Sequence, residues 1–166
     1  MQEPLRFRCD AMLGGLARWL RAAGYEADFD AGVDDGELVA RARREGSVVL
    51  SSDRGIFERT VVKRGEVRAL FVPRASPPVE QLAFVLERLG APVRAARCMA
   101  CGGPLEEVAR ASVEGEVPPR SFEAYARFWR CARCAKLYWR GTHWARIERA
   151  LRDASGRVAS EPVDRL

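Results

Sequence analysis

LRFRCDAMLGGLARWLRAAGYEADFD, residues 5–30, changes its hydrophobic period twice. Leu5 to Arg8 alternates apolar and charged side chains, the two-residue period of a strand. Met12, Leu13, Leu16, Trp19, Leu20 and Ala23 then recur at helical spacing as far as Gly24, a natural stop for a helix. Tyr25 to Phe29 returns to the strand pattern. Downstream the alternation continues. Asp34 followed by Glu37 predicts a capped helix running to Gly46, Ser47 to Leu50 a buried strand, and Arg54 to Lys63 a helix. Val67 to Val72 reads as a strand, and Pro77-Pro78 opens an amphipathic helix through Leu89. Short strands and helices in alternation predict an α/β fold: a mainly parallel sheet covered on both faces, in three layers.

That architecture gives the acidic residues a place. Ligands of open α/β sheets bind beyond the carboxyl ends of the strands. Asp10 follows the first strand, Asp28 and Asp30 the second and Asp53 the third, with Asp34 and Asp35 at the mouth of the next helix. Carboxylates gathered on one rim repel unless a divalent cation neutralises them, and oxygen-only ligands suit Mg²⁺ or Mn²⁺. A metal so held activates water for phosphodiester hydrolysis. Each aspartate also has a plainer role: Asp10, Asp34 and Asp53 precede helices, where an aspartate caps free backbone N–H groups.

The second half carries a different signal. Cys98-Met-Ala-Cys101 and Cys131-Ala-Arg-Cys134 are paired cysteines at the two-residue spacing that turns both thiolates onto one ion. Two such pairs predict a closed tetrahedral zinc site that stabilises a fold and leaves no position for catalysis. The 29 residues between the pairs predict a long hairpin or loop, as in a zinc ribbon. Gly102-Gly103-Pro104 and Ala135-Lys136 supply the chain reversals. Two disulfides would require an oxidising compartment. The fifth cysteine, Cys9, reads as a small core residue.

Charge divides the chain at the same place. Residues 1–90 hold 14 basic and 14 acidic side chains and residues 91–166 hold 14 and 9, so the net +5 lies with the cysteines. Arg120 to Arg152 contains nine basic and two acidic residues together with seven of the 14 aromatics, a composition suited to phosphates and unstacked bases. Arg130, Arg133, Lys136, Trp139, Arg140 and Trp144 are the expected nucleic-acid contacts, the alternative being that the aromatics pack around the small zinc core and the arginines form its solvated face. Phosphates do not distinguish RNA from DNA, so DNA stays open as a partner. His143 reads as a packed or hydrogen-bonded residue, and Arg18 and Arg21 as a solvated helix face. No apolar run approaches the ~20 residues of a membrane span, no charged-then-apolar leader opens the chain, and a cytoplasmic location without a membrane partner is expected. Ala91-Pro92 marks the joint, giving residues 1–91 as the α/β domain, 92–152 as the ribbon with its basic aromatic segment, and 153–166 as a flexible tail.

Five strings lie in one order along the chain. DAMLGGLARWLR begins at Asp10, DDGEL at Asp34, SSDR at Ser51, and RCMACGGPL at Arg97; CARCAKLYWRGTHW begins at Cys131. Together they resemble the Mut-seven C-terminal RNase family, which joins a PIN-like nuclease domain to a C-terminal zinc ribbon. The resemblance implies a Mg²⁺- or Mn²⁺-dependent ribonuclease. Its acidic cluster would be Asp10, Asp34 or Asp35, and Asp53, with Asp10 and Asp53 on the metal and zinc on the four cysteines. Glu37 and Glu58 are the candidates for a fourth carboxylate, since the last strand ends Val72-Pro73-Arg74 without an acid. Ser51-Ser52 stands where that family commonly has Thr-Arg. The alternative is a non-catalytic adaptor that binds RNA, or docks on an RNA-processing protein, through the ribbon.

Overall fold

The structure is a computed structural model that describes residues 5–159. Four strands, β1 (Arg6–Cys9), β2 (Glu26–Phe29), β3 (Val48–Ser51) and β4 (Ala69–Phe71), form a parallel sheet in the order β2-β1-β3-β4. Alternation along each strand divides its residues between two faces. Phe7, Cys9, Val48 and Leu50 are buried on one face, beneath α1 (Gly14–Ala22), α5 (Pro78–Leu89) and α7 (Thr142–Ala159). Val49 is buried on the other, among residues of α2 (Asp35–Glu45), α3 (Arg54–Phe57) and the partly buried Val61 and Val62 of α4 (Thr60–Lys63). The expected α/β class, with its three layers, is what the chain adopts.

Arg8 shares the second face with Val49 and is only 7 % exposed. A charge so enclosed needs partners. Glu45 supplies both carboxylate oxygens at 2.7 and 2.8 Å, and Asp30 and Asp28 complete the set. These contacts lift the Arg8 pKa, the Glu45 hydrogen bonds most of all. Asp28 and Asp30, expected on the acidic rim, are therefore engaged by Arg8, and Asp30 also accepts from Arg41 at 3.0 Å.

Two expectations need correction. Arg54 to Lys63 is not one helix: Arg59 is extended (φ −66°, ψ 135°) and separates α3 from α4, so that Ile56 and then Val61 and Val62 turn onto the same apolar cluster. The expected tail begins as helix, because α7 runs through Ala159. Ile147, Leu151 and Ala154, at i, i+4 and i+7, continue one buried stripe against α5. Residues 160–166 of that tail lie outside the described residues.

The cysteine-bearing part is a second, antiparallel sheet of β5 (Leu105–Val108), β6 (Phe128–Cys131) and β7 (Leu137–Trp139). A 3₁₀ turn at Arg110–Val113 and the short α6 (Pro119–Ala124) fill the long β5–β6 connection. Val113, Val117 and Phe128 form its small core, with Phe122 stacked on Phe128 at 5.9 Å. No helix among the described residues is long and apolar enough to cross a membrane.

Candidate functional site

The order β2-β1-β3-β4 reverses direction between β1 and β3, and such a reversal opens a crevice at the strands' carboxyl ends. Asp10 stands there, 7 % exposed. One carboxylate oxygen accepts the Met12 N–H at 2.8 Å; the other accepts the Ser51 hydroxyl at 2.6 Å and the Ser52 N–H at 2.9 Å. The Asp10 N–H in turn donates to the Leu50 carbonyl at 3.0 Å, fastening the β1 end to β3. Among the described residues no cation comes within 4 Å of Asp10, although Glu45, Asp30, Glu37 and Glu58 all have one. Asp10 is thus a buried carboxylate held by neutral donors.

Ser51 ties a second aspartate to the first. Its fully buried hydroxyl donates to Asp10 and accepts the Asp53 N–H at 2.9 Å. The Asp53 side chain, exposed at the start of α3, caps the Gly55 N–H at 2.7 Å. Ser52 anchors the neighbouring strand end by donating to the Val72 carbonyl at 2.8 Å. The hydroxyl that Ser and Thr share is therefore the structural part of this position. Residue spacing alone flags it only as a small hydroxyl two positions before an aspartate.

Asp34 caps α2, accepting from Gly36 N at 2.8 Å and Glu37 N at 3.0 Å, and Asp35 takes the first helical position. Glu37 does not close the capping box; it turns to Arg41 at 2.8 Å. Glu58 pairs with Lys63. Among the described residues, the four cysteines are the one group of three or more ligand-type side chains whose donor atoms lie within 4.8 Å of one another, so the aspartates do not make a preassembled cage.

Cys98, Cys101, Cys131 and Cys134 are free thiols positioned to bind a metal ion, and the donor set suits zinc. Cys98 and Cys134 sulfurs lie 3.7 Å apart and those of Cys101 and Cys131 3.5 Å. A tetrahedron with Zn–S of about 2.3 Å has edges of ~3.8 Å, so the arrangement fits the ion. Backbone N–H groups of Gly103 and Arg133 reach Cys101 and Cys131 at 3.4 Å. Gly103 is required by space: a Cβ there would lie 2.7 Å from the Cys131 sulfur. Burial pushes the Cys98 thiol up, but hydrogen bonds from Tyr138 and from the backbone of Cys101 and Ala100 outweigh it and bring it down to about 6.

Arg21 locks this centre to the parallel sheet. It is 9 % exposed rather than solvated, and donates to the Ala27 carbonyl at 2.7 Å and to Met99 and Ala100, inside the first cysteine pair, at 3.2 and 2.9 Å. All six residues expected on RNA have partners within the fold: Lys136 lies over the Tyr138 ring, Trp144 donates to Glu148 at 2.8 Å and Trp139 packs on Phe128. Arg130 pairs with Glu116 at 2.9 Å, Arg133 donates to the Cys101 carbonyl at 2.9 Å, and Arg140 lies over the Trp129 ring. Lys136, Trp139 and Trp144 also line a cleft of about 840 Å³ between the ribbon and α1. His143, expected to be packed, is exposed on that cleft and Arg18 faces it too; sequence periodicity carries no signal for either.

No curated protein and no solved structure matches this chain. A family model described as the Mut7-C RNAse domain matches residues 5–151, from the first residue described to the buried Leu151 of α7. That span takes in the acidic rim, the cysteine centre and the helix that joins them. The chain belongs to the Mut7-C RNAse domain family.

Proposed function

We propose that the chain is a metal-dependent ribonuclease, with its hydrolytic site at Asp10 and Asp53 and with the ribbon holding the RNA. The observation that carries this reading is Asp10, a buried carboxylate at the sheet's switch point without a cationic partner among the described residues. Burying a carboxylate is costly without partners, and its three hydrogen bonds fix its position while supplying no formal counter-charge. Mg²⁺ commonly uses one or two protein carboxylates and completes its shell with water and substrate phosphates, so Asp10 and Asp53 suit it without a full cage. A divalent ion there would supply a more acidic water and offset the charge of the phosphodiester. The chain's own part is positional: Ser51, Ser52 and Met12 fix the Asp10 carboxylate, while Asp34 or Asp35 supplies further negative charge at the mouth of α2.

Zinc on the four cysteines would be structural, since a closed sulfur site leaves no coordination position for water. Residues 5–91 form the hydrolytic unit in this account and the ribbon begins at residue 92, with α7 bridging back. Reduced thiols agree with a cytoplasmic setting. The test is cleavage of a panel of RNAs by the zinc-loaded chain with and without Mg²⁺ or Mn²⁺. Cleavage that needs the divalent ion and disappears in Asp10→Asn is the expected result.

The caps at Asp34 and Asp53 favour a second reading, a non-catalytic RNA-binding or protein-docking adaptor. Salt-sensitive RNA binding with no cleavage under any divalent ion would select it.

A further inference from the structure

The cleft between the ribbon and the parallel-sheet unit has a distinctive lining. Arg18, Lys136 and His143 contribute cationic or titratable groups, and Phe29, Tyr125 and Trp139 are among its rings. Among the described residues no Asp or Glu lines it, in a chain with 23 of them. Neither Arg18 nor Lys136 is in an ion pair with a described residue, whereas Arg8, Arg41, Arg127 and Arg130 are. Phe29 is 37 % exposed and lies over the start of α1, where Gly14 leaves it room: a Cβ on Gly14 would come within 3.0 Å of the ring. Cations without acids make a phosphate path, and exposed rings offer stacking surfaces to bases.

Size and position narrow the ligand. A volume of about 840 Å³ is that of a pocket for a molecule of nucleotide scale. Duplex RNA is recognised across successive grooves and does not enter such a space. Gly14 follows Asp10 by four residues and Phe29 ends β2, the neighbour of β1, so the cleft opens on the same sheet edge as the acidic rim. We propose that this cleft binds an unpaired RNA segment, with a base stacked on Phe29 and phosphates on Arg18 and Lys136, and so selects single-stranded RNA over duplex. The identity of the polymer rests on the ribonuclease reading; the binding does not depend on hydrolysis at Asp10.

The test is fluorescence anisotropy with the full, zinc-loaded chain carrying Asp53→Asn, so that the probe survives. The probes are a labelled single-stranded oligoribonucleotide and a blunt duplex of the same sequence. The single strand should bind at least about tenfold more tightly than the duplex. Removing two phosphate contacts in Arg18→Ala/Lys136→Ala should weaken binding and flatten the salt dependence by about 1.4, at ~0.7 per contact. Phe29→Ala should cost about five- to a hundredfold, the loss of one stacked base. Unchanged affinity in these variants, once shown to be folded, or equal binding of the duplex, overturns the proposal. If Phe29→Ala does not fold, 4-thiouridine crosslinking of the Asp53→Asn chain decides: adducts at Phe29 or within residues 137–144 support the cleft, and adducts confined elsewhere overturn it. A chain that binds no RNA also overturns it and leaves the cleft to a protein partner. Cleft variants that behave as expected beside a parent that cleaves nothing would sink the ribonuclease reading alone, and the converse would sink the cleft alone.

Discussion

Asp10 and Asp53 look alike in the sequence, each an aspartate between a strand and a helix, and the structure separates them by burial. Asn in place of Asp10 replaces one of the two carboxylate oxygens with an NH₂ group, which strands either the Met12 N–H or the Ser51–Ser52 pair in a buried site. A buried donor left without its acceptor costs about 1–3 kcal/mol. Asp53 is exposed and caps a single N–H, so Asp53→Asn should cost only a few tenths to ~1 kcal/mol. Denaturant unfolding of both variants measures the difference, and equal losses would mean that the buried network contributes nothing. Arg8 and Glu45 give a pH dependence. Hydrogen bonds from Arg8 hold the Glu45 carboxyl below its usual range, although burial pulls the other way. A carboxylate with a lowered native pKa contributes stability above its unfolded value of ~4.3 and loses it as the pH falls through the native value. Stability should therefore drop as the solution is acidified below about pH 4.5. The drop should be shallower in Glu45→Gln, and an identical pH profile in that variant would refute the linkage.

Arg21 joins three elements: α1 carries it, β2 receives it at Ala27, and the first cysteine pair receives it at Met99 and Ala100. Arg21→Ala leaves those carbonyls without their charged donor, a loss of about 2 kcal/mol that lowers the melting temperature by ~4–8 °C. Zinc content should be retained, because no ligand is touched, while amide exchange around residues 97–102 should quicken. A variant with unaltered exchange there would show that the Arg21 side chain does not hold the ribbon, leaving that to α7 and to the backbone bonds from Arg94 and Arg97 to Ala23 and Arg21. The elements most legible in the sequence were those with a clean period: α1, with its stop at Gly24 (φ 92°), and α2, capped by Asp34 and closed by Gly46 (φ 66°). In the sequence Arg21 reads as a solvated side chain, because two of its three carbonyl partners lie 78 and 79 residues away and periodicity reports only which face a residue occupies. The same limit hides the role of α7: Ile147, Leu151 and Ala154 are spaced for burial, but the core they join is formed by distant residues such as Leu16, Leu82 and Leu86.

At the scale of the whole molecule, the two halves that differ in charge share one surface. The balanced half ends in an acidic rim and the basic half docks beside it, so the cleft that separates them combines Phe29 and Arg18 from one with Lys136, Trp139 and His143 from the other. Local spacing made the cysteine site legible, because two residues between ligands suffice to define a knuckle. The cleft was not legible, since it depends on how distant segments dock. The central claim is that the Asp10–Asp53 rim hydrolyses RNA with a divalent ion, and Asp53→Asn tests it most cleanly because its exposed cap leaves the fold intact. The measurement is the single-turnover rate of cleavage of a single-stranded RNA in Mg²⁺ or Mn²⁺, beside the thermal melt of the same preparation. A melt within a few degrees of the parent and a rate reduced by about a hundredfold or more is the predicted result. A folded Asp53→Asn chain that cleaves as fast as the parent would contradict the account and leave Asp53 as a helix cap.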